Sequence, residues 1–241
     1  MGFQNGWRGP DIVSDGLVLY LDAGSPNSYR TDFGTTWKDM SGFNNSGSLI
    51  NGPTYSSANG GSILFDGTND YGLIPNISGV TNFTIANNYT IDFWVYVNST
   101  QNNTQNGDND ILEKWSDIGG YPYTFRYIRS AQLMTTTVYN GGGVNTTSIP
   151  ISTNSWWNIC GVFNWSGSLL TVYGNGGQIT SSVALTLTGD ISNSSDLNLM
   201  RRGNSLNYAT GRLSAIRIYN RALLATEIQQ NYNAQKSRFG L

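Results

Sequence analysis

Asp66 and Asp70 stand four positions apart in GGSILFDGTNDYGLI, residues 60–74, within a stretch rich in Gly and Asn. Two carboxylates so placed suit three jobs: an acid–base pair, part of a calcium cage, or the cap of a tight corner. Glycoside hydrolysis needs two carboxyls facing each other across a cleft, one kept protonated by its surroundings. The chain has only two glutamates, Glu113 and Glu227, and no histidine. Ser-His and Cys-His catalysis and His-ligated zinc are therefore excluded. No Gly-rich phosphate loop follows a strand and opens a helix, so nucleotide chemistry lacks its motif. Cys160, in the apolar run WWNICGVF, reads as a buried thiol rather than a nucleophile. Glu113 precedes Lys114 in DILEKW and reads as an ion-paired residue at a strand end. The chemistry on offer predicts a protein that is not an enzyme.

The calcium reading asks for about six to eight oxygens gathered from loops. NGDNDILEK supplies Asp108, Asn109 and Asp110, but their spacing matches no calcium loop. The corner reading asks for less. Asp66-Gly67 is a turn pair in which Gly takes positive φ without a steric penalty. Asp and Asn side chains there accept backbone N–H bonds lost where the strand ends, and Phe65 and Tyr71 anchor the loop on either side. The corner is preferred. A single structural Ca2+ at Asp66 or Asp22 is the metal alternative, and no other cofactor is expected.

Sugar rings stack on flat aromatic faces while amides and carboxylates take up their hydroxyls. KWSDIGGYPYTFRY gathers Trp115, Asp117, Tyr121 and Tyr123 into one such set, and Tyr139 and Asn140 join it if the neighbouring hairpin pairs. The competing use is sheet-face filler. Trp156 and Trp157 are adjacent, so one must face outward, toward a subunit contact. The two ends add aromatic anchors of their own. An N-terminal arm, residues 1–15, carries Phe3 and Trp7, and a tail, residues 234–241, carries Phe239. Such anchors dock on a neighbouring chain or fold back on their own domain.

These residues must be held by strands. GLVLYLDA, YTIDFWVYV, QLMTTTVY and GRLSAIRIYN alternate with period two, and turn signals such as NGGG separate the runs. In YTIDFWVYV, Ile91, Phe93, Val95 and Val97 point inward and Asp92, Trp94 and Tyr96 outward. WWNICGVFNW and LLTVYGNGGQI form a further pair joined through SGS. Many short strands with turns between them predict an all-β antiparallel two-sheet sandwich over residues 16–233. One helix is expected, in LLATEIQQNYNAQ, with Leu224, Ile228 and Tyr232 as its apolar stripe. Glu227 occupies the N3 place of a capping box, but Leu224 fills the N-cap place and can accept nothing. Such a helix depends on docking.

Composition agrees. Charged residues are 12% of the 241 and the net charge is −2, about half the usual charged fraction. The ten arginines are scattered apart from Arg201-Arg202, so no basic stripe for nucleic acid exists. No apolar stretch reaches membrane-spanning length, and the N-terminus lacks the apolar core of a signal peptide. Asn-x-Ser/Thr triplets such as those at Asn76, Asn82, Asn88 and Asn164 follow from Asn and Thr richness.

Five blocks fall in order across nearly the whole chain: GLVLYLDAGSPNSY, TTWKDMSG, NGPTYSSANGGSILFDGTNDY, WWNICGVFNWSGSLLTVYGNGG and GRLSAIRIYNRALLATEIQQNYNAQKSRFG. Together they resemble laminin-G-like, concanavalin A-like jelly rolls, most closely those of virion structural proteins in tailed bacteriophages. The resemblance implies two curved antiparallel sheets with the C-terminal helix beside them. It implies a capsid decoration or tail or fibre component, made in the host cytoplasm and mounted on the virion as a homo-oligomer beside other virion proteins. The other role it implies is an adhesin binding surface glycans. Hydrolytic relatives carry Glu-x-Asp-x-x-Glu, which this chain lacks. Calcium-binding relatives use acids in a loop that here reads RRGNSLNYATG, and Ser214 and Ala215 replace the acid of their G-x-I-D-x-V-R-I-Y corner. A paired calcium site is not expected.

Overall fold

The computed structural model describes residues 11–101, 108–203 and 207–241; Phe3 and Trp7 lie outside them. Among these described residues sixteen strands run β1 Leu17–Asp22, β2 Thr36–Trp37, β3 Gly47–Ile50, β4 Thr54–Ser56, β5 Ser62–Asp66, β6 Tyr71–Ile74, β7 Tyr89–Val97 and β8 Asp108–Glu113, then β9 Tyr121–Ile128, β10 Leu133–Tyr139, β11 Val144–Pro150, β12 Trp156–Asn164, β13 Leu169–Gly174, β14 Ile179–Ala184, β15 Leu197–Leu199 and β16 Thr210–Tyr219. One α-helix among them, α1 Ala225–Gln235, follows.

The strands form two antiparallel eight-stranded sheets. The first has the order β14-β13-β12-β7-β16-β5-β4, with β1 also paired to β16. The second has the order β11-β10-β9-β8-β15-β6-β3-β2. The expected jelly-roll sandwich is therefore present, and the hairpins β9–β10, β10–β11 and β12–β13 pair as the turns predict. Between the sheets lie the inward residues of β7, Ile91, Phe93, Val95 and Val97, with Ile159 and Phe163 of neighbouring β12 beside them and Phe125 and Tyr127 of β9 facing them from the second sheet. Each such side chain contributes about 1.5–3 kcal/mol by leaving water.

The outward face of the first sheet departs from expectation. Asp92 and Trp94 are fully buried, because α1 and the 3-10 turn Lys236–Phe239 lie across them. Trp94 stacks on Phe239 at 4.0 Å and on Tyr232 at 5.7 Å. Trp156 is buried under the same ring at 4.7 Å, so its outward face meets this chain's own tail. Phe239 is thus spent inside the molecule and is not an exposed assembly anchor. The tail beyond residue 233 is continuous with α1, whose last helical residue is Gln235.

The helix docks by amides as much as by carbon. Its buried residues are Ile228, Asn231, Tyr232 and Gln235, whereas Leu224 is 67% exposed; the expected stripe therefore loses its first member and gains two amides. Asn231 donates to Asp92 Oδ2 at 3.2 Å, and Arg217 donates to Asp92 Oδ1 and to Gln235 Oε1 at 3.2 and 2.9 Å. Glu227 makes its half of the capping box, accepting the Leu224 N–H at 2.8 Å. Gly176 (φ +68°) lets the β13–β14 turn touch Tyr232, since a Cβ there would lie 2.6 Å from that ring. The arm also folds back where it is described: Val13 is buried, its N–H donating to Asn231 Oδ1 at 2.8 Å.

Candidate functional site

With one sheet face sealed by the helix, the outward face of the second sheet remains. Two irregularities in its ladder decide what that face carries. Asp110 pairs with Arg126 and Leu112 with Phe125, so the register slips around Ile111. Ile111 and Leu112 both enter the core, and Asp110 and Glu113 emerge on the same outer face although three residues apart. Regular pleating would send them to opposite faces. A second slip lies between Thr137 and Tyr139. It separates Tyr121 from Tyr123, and Tyr121 comes to lie against Tyr139 at 5.2 Å.

Arg126 is the hub of this face. Its Nε lies 2.5 Å from Glu113 Oε1 and 2.8 Å from Asp110 Oδ1, and Arg202 Nε is 3.3 Å from Asp110 Oδ2. Around the hub, Arg202 lies over Trp115 at 5.6 Å, and Arg201 lies over Tyr71 at 3.5 Å while donating to Asn198 Oδ1 at 2.8 Å. Thr135–Ser148 and Thr137–Thr146 hydroxyl pairs, each 2.9 Å, extend the face toward β11.

Asp110 and Glu113 are completely buried, and Glu113 Oε2, Arg126 Nη2 and Thr124 Oγ1 have no hydrogen-bond partner among the described residues. Burial, reinforced by the Asp110 charge and opposed by Arg126, lifts the Glu113 carboxyl well above the usual carboxylate range. Burial also raises Asp108. Burial works against the Arg126 charge, but Glu113 and Asp110 outweigh it and hold that proton more tightly. Hydrolysis would need carboxyls on opposite walls. Here both carboxyls reach the same guanidinium nitrogen and stand side by side.

Trp115 opens a loop beside this face. With Ser192–Ser195, residues Ser116, Asp117 and Ile118 line a groove of about 470 Å³. Lys114 pins the groove from beneath, its ammonium bonding Asn76 Oδ1 at 2.6 Å and the Ser195 carbonyl. Burial pushes Lys114 down to about 8.

The sequence-expected sugar set is only partly assembled. Trp115, Tyr121 and Tyr139 border the outer face, and Asp117 is exposed in the groove. Tyr123 is not there: it is fully buried in the core, its hydroxyl donating to the Thr81 carbonyl at 2.9 Å. Asn140 is committed to its own hairpin. Its Oδ1 accepts from Gly142 and Gly143 at 3.1 and 2.7 Å, and its Nδ2 donates to the Thr188 carbonyl at 2.6 Å. Glu113 is ion-paired as expected, to Arg126 rather than Lys114. Sequence reasoning missed Arg126, Arg202, Asn198 and Tyr71; the cue was the acid density of DNDILE facing an Arg in the next strand.

The two calcium candidates have other occupations. Asp66 Oδ1 accepts the Thr68 and Asn69 N–H groups at 2.8 and 3.3 Å, and Asp70 Oδ2 accepts the Asp66 N–H at 3.2 Å. Slight burial pushes the Asp66 carboxyl up, but these N–H bonds outweigh it and hold the group below its ordinary value. Gly67 (φ +75°) closes the corner against Thr210. Asp22 grips Arg238 at 2.9 and 3.0 Å while accepting from Tyr20, Gly24 and Gln235. Its counterion belongs to the chain itself. Among the described residues, no three or more His, Cys, Asp or Glu gather as a metal site, and no helix is long and apolar enough to cross a membrane.

A family model described as the concanavalin A-like lectin/glucanases superfamily, Laminin_G_3, matches residues 66–229. Among solved structures, the binding domain of Paraclostridial Mosquitocidal Protein 1 is similar at 20% identity and TM-score 0.71, covering 92% of this chain and 52% of that one. The Botulinum Neurotoxin serotype G binding domain is similar at 17% identity and TM-score 0.72, with 92% and 51% covered. The Botulinum neurotoxin serotype D ligand binding domain in complex with N-acetylneuraminic acid is similar at 12% identity and TM-score 0.71, with 92% and 52% covered. The chain spans about half the length of these structures, and the likeness is one of fold. No curated protein sequence matches it. The phage resemblance draws on the sequence blocks alone.

Proposed function

We propose that this chain, which belongs to the concanavalin A-like lectin/glucanase superfamily, is a non-enzymatic binding module that recognises glycans on the outer face of its second sheet. One observation carries the reading. Among the described residues no helix covers that face, and its ion-paired cluster of Asp110, Glu113, Arg126 and Arg202 is flanked by aromatic side chains. Trp115 and the Tyr121–Tyr139 pair supply flat rims for sugar rings. The similar serotype D domain, solved with N-acetylneuraminic acid, supports a sugar as ligand class.

Binding on this reading needs no calcium, because Arg238 already neutralises Asp22. A glycan array with and without EDTA tests it. Binding that survives EDTA and falls in Trp115→Ala is expected; no binding under either condition refutes it. We further place the module on a tailed-phage virion as a homo-oligomer beside other head or tail proteins, on the strength of the five sequence blocks. Antibody labelling of purified particles in the electron microscope tests that placement, and unlabelled particles would refute it.

A further inference from the structure

A second groove, of about 420 Å³, opens between the loop after β1 and β4, a terminal strand of the first sheet. That volume is within the ~300–1,000 Å³ range of small-molecule sites. It shares no residue with the second-sheet face. Tyr29 and Tyr55 form one side, their ring centroids 5.5 Å apart and their planes tilted by 32°. Tyr29 is buried and fixed, whereas Tyr55 is 38% exposed. Arg30 and Asp32 line the same groove. The guanidinium donates to both carboxylate oxygens, at 2.8 and 2.6 Å, with the two side chains 53% and 60% exposed.

Folding does not explain this arrangement. The 3-10 turn Thr31–Phe33 buries none of its residues. An exposed ion pair contributes at most about 1 kcal/mol. Yet the turn is ordered by polar and aromatic contacts, including Lys38 Nζ at 3.6 Å over the Phe33 ring. Surface loops held in place by a rigid scaffold are where binding residues concentrate.

The chemistry selects a ligand. The Arg30–Asp32 fork is neutral overall, so it offers no net attraction to an acidic sugar or a phosphate. The guanidinium retains N–H donors beyond the two in the fork, and each carboxylate oxygen retains a lone pair. A vicinal diol can therefore bridge the pair without breaking it. In the same groove, Tyr55 presents a flat ring suited to the apolar C–H face of a pyranose. We propose that this groove is a second saccharide site, selective for a neutral pyranose stacked on Tyr55 with adjacent hydroxyls on Arg30 and Asp32. The inference goes beyond the sheet-face reading and does not depend on it.

Saturation-transfer NMR on the full chain tests it, using the methyl glycosides of glucose, galactose, mannose and N-acetylglucosamine, with N-acetylneuraminic acid as the charged comparator. At least one neutral glycoside should receive saturation. Tyr55→Ala should weaken its binding about tenfold, the loss of one aromatic stack, whereas Tyr55→Phe keeps it. An unchanged urea midpoint establishes that Tyr55→Ala still folds. Binding equal to the parent in Tyr55→Ala overturns the proposal, as does failure of all four glycosides or preference for the acidic sugar. Binding lost in Trp115→Ala but untouched in Tyr55→Ala would also overturn it, while leaving the sheet-face site standing.

Discussion

Replacing Phe239 by Ala separates a tail that belongs to the fold from one that reaches for a neighbour. The ring is 7% exposed and lies between Trp94 at 4.0 Å and Trp156 at 4.7 Å. An aromatic side chain buries about 150–250 Å², which at about 25 cal/mol per Å² corresponds to about 4–6 kcal/mol of transfer free energy. Measured Phe→Ala losses in cores run at about 3–5 kcal/mol. Phe239 closes the final turn, so the chain end can peel away locally and leave the sandwich closed. That lowers the expected loss to about 2–3 kcal/mol, still above a surface substitution's ~0.5 kcal/mol. Peeling would also loosen Arg238 from Asp22, where it donates at 2.9 and 3.0 Å. The assay is urea unfolding followed by tryptophan fluorescence, which Trp94 and Trp156 report directly. The midpoint should fall with the slope against urea unchanged. A loss under about 0.5 kcal/mol, or a variant whose only change is its oligomeric state in sedimentation, would refute the reasoning and return Phe239 to an interchain role.

Three further outcomes follow from buried charge. Glu113 holds its proton to higher pH in the folded chain than in the unfolded one, so its contribution is fully present below the ordinary value of 4.5 and is lost as pH rises toward the folded value. Glu113→Gln should remove up to about 1.4 kcal/mol per pH unit of that decline; a parent-like slope in the variant refutes it. Lys114, pushed down to about 8 from 10.5, carries fewer protons folded than unfolded between those values. Stability should therefore climb with pH there, by up to about 1.4 kcal/mol per unit, and Lys114→Met should flatten the climb. Arg217→Met strands Asp92, which is fully buried with it, and should cost about 3–5 kcal/mol; a loss under about 1 kcal/mol in thermal or urea unfolding would refute a working ion pair.

The strands of this protein are legible because alternation is a local property. Ile91, Phe93, Val95 and Val97 share a face in the sequence and in the core alike. Alternation says which residues share a face but not whether that face receives a lid. Alternation alone therefore sends Asp92 and Trp94 to water, although a helix more than a hundred residues downstream covers them. That helix was itself half-legible. Ile228 and Tyr232 mark its apolar contact, while Asn231 and Gln235 look like solvent residues until Asp92 and Arg217 are found beneath them. The site was less legible, because each of its key juxtapositions depends on a register slip. Without the slip at Ile111, Asp110 and Glu113 would part; without the one near Tyr139, Tyr121 would not separate from Tyr123. A slip is set by the partner strand, and no single strand's sequence displays it.

The same asymmetry supports the proposed binding role. A carboxyl pair is useful for hydrolysis when each member is free to exchange a proton with a different substrate atom. Asp110 and Glu113 instead converge on one nitrogen of Arg126, at 2.8 and 2.5 Å, so moving a proton at either disturbs the charge that holds the other. What such a cluster does well is fix the side chains around it, so that little entropy is lost on binding. Arg126 and Arg202 are held by carboxylates, and Trp115 and Tyr71 each pack against a guanidinium. On the proposed reading the sheet lends its rigidity to a polar surface that meets a glycan without rearrangement.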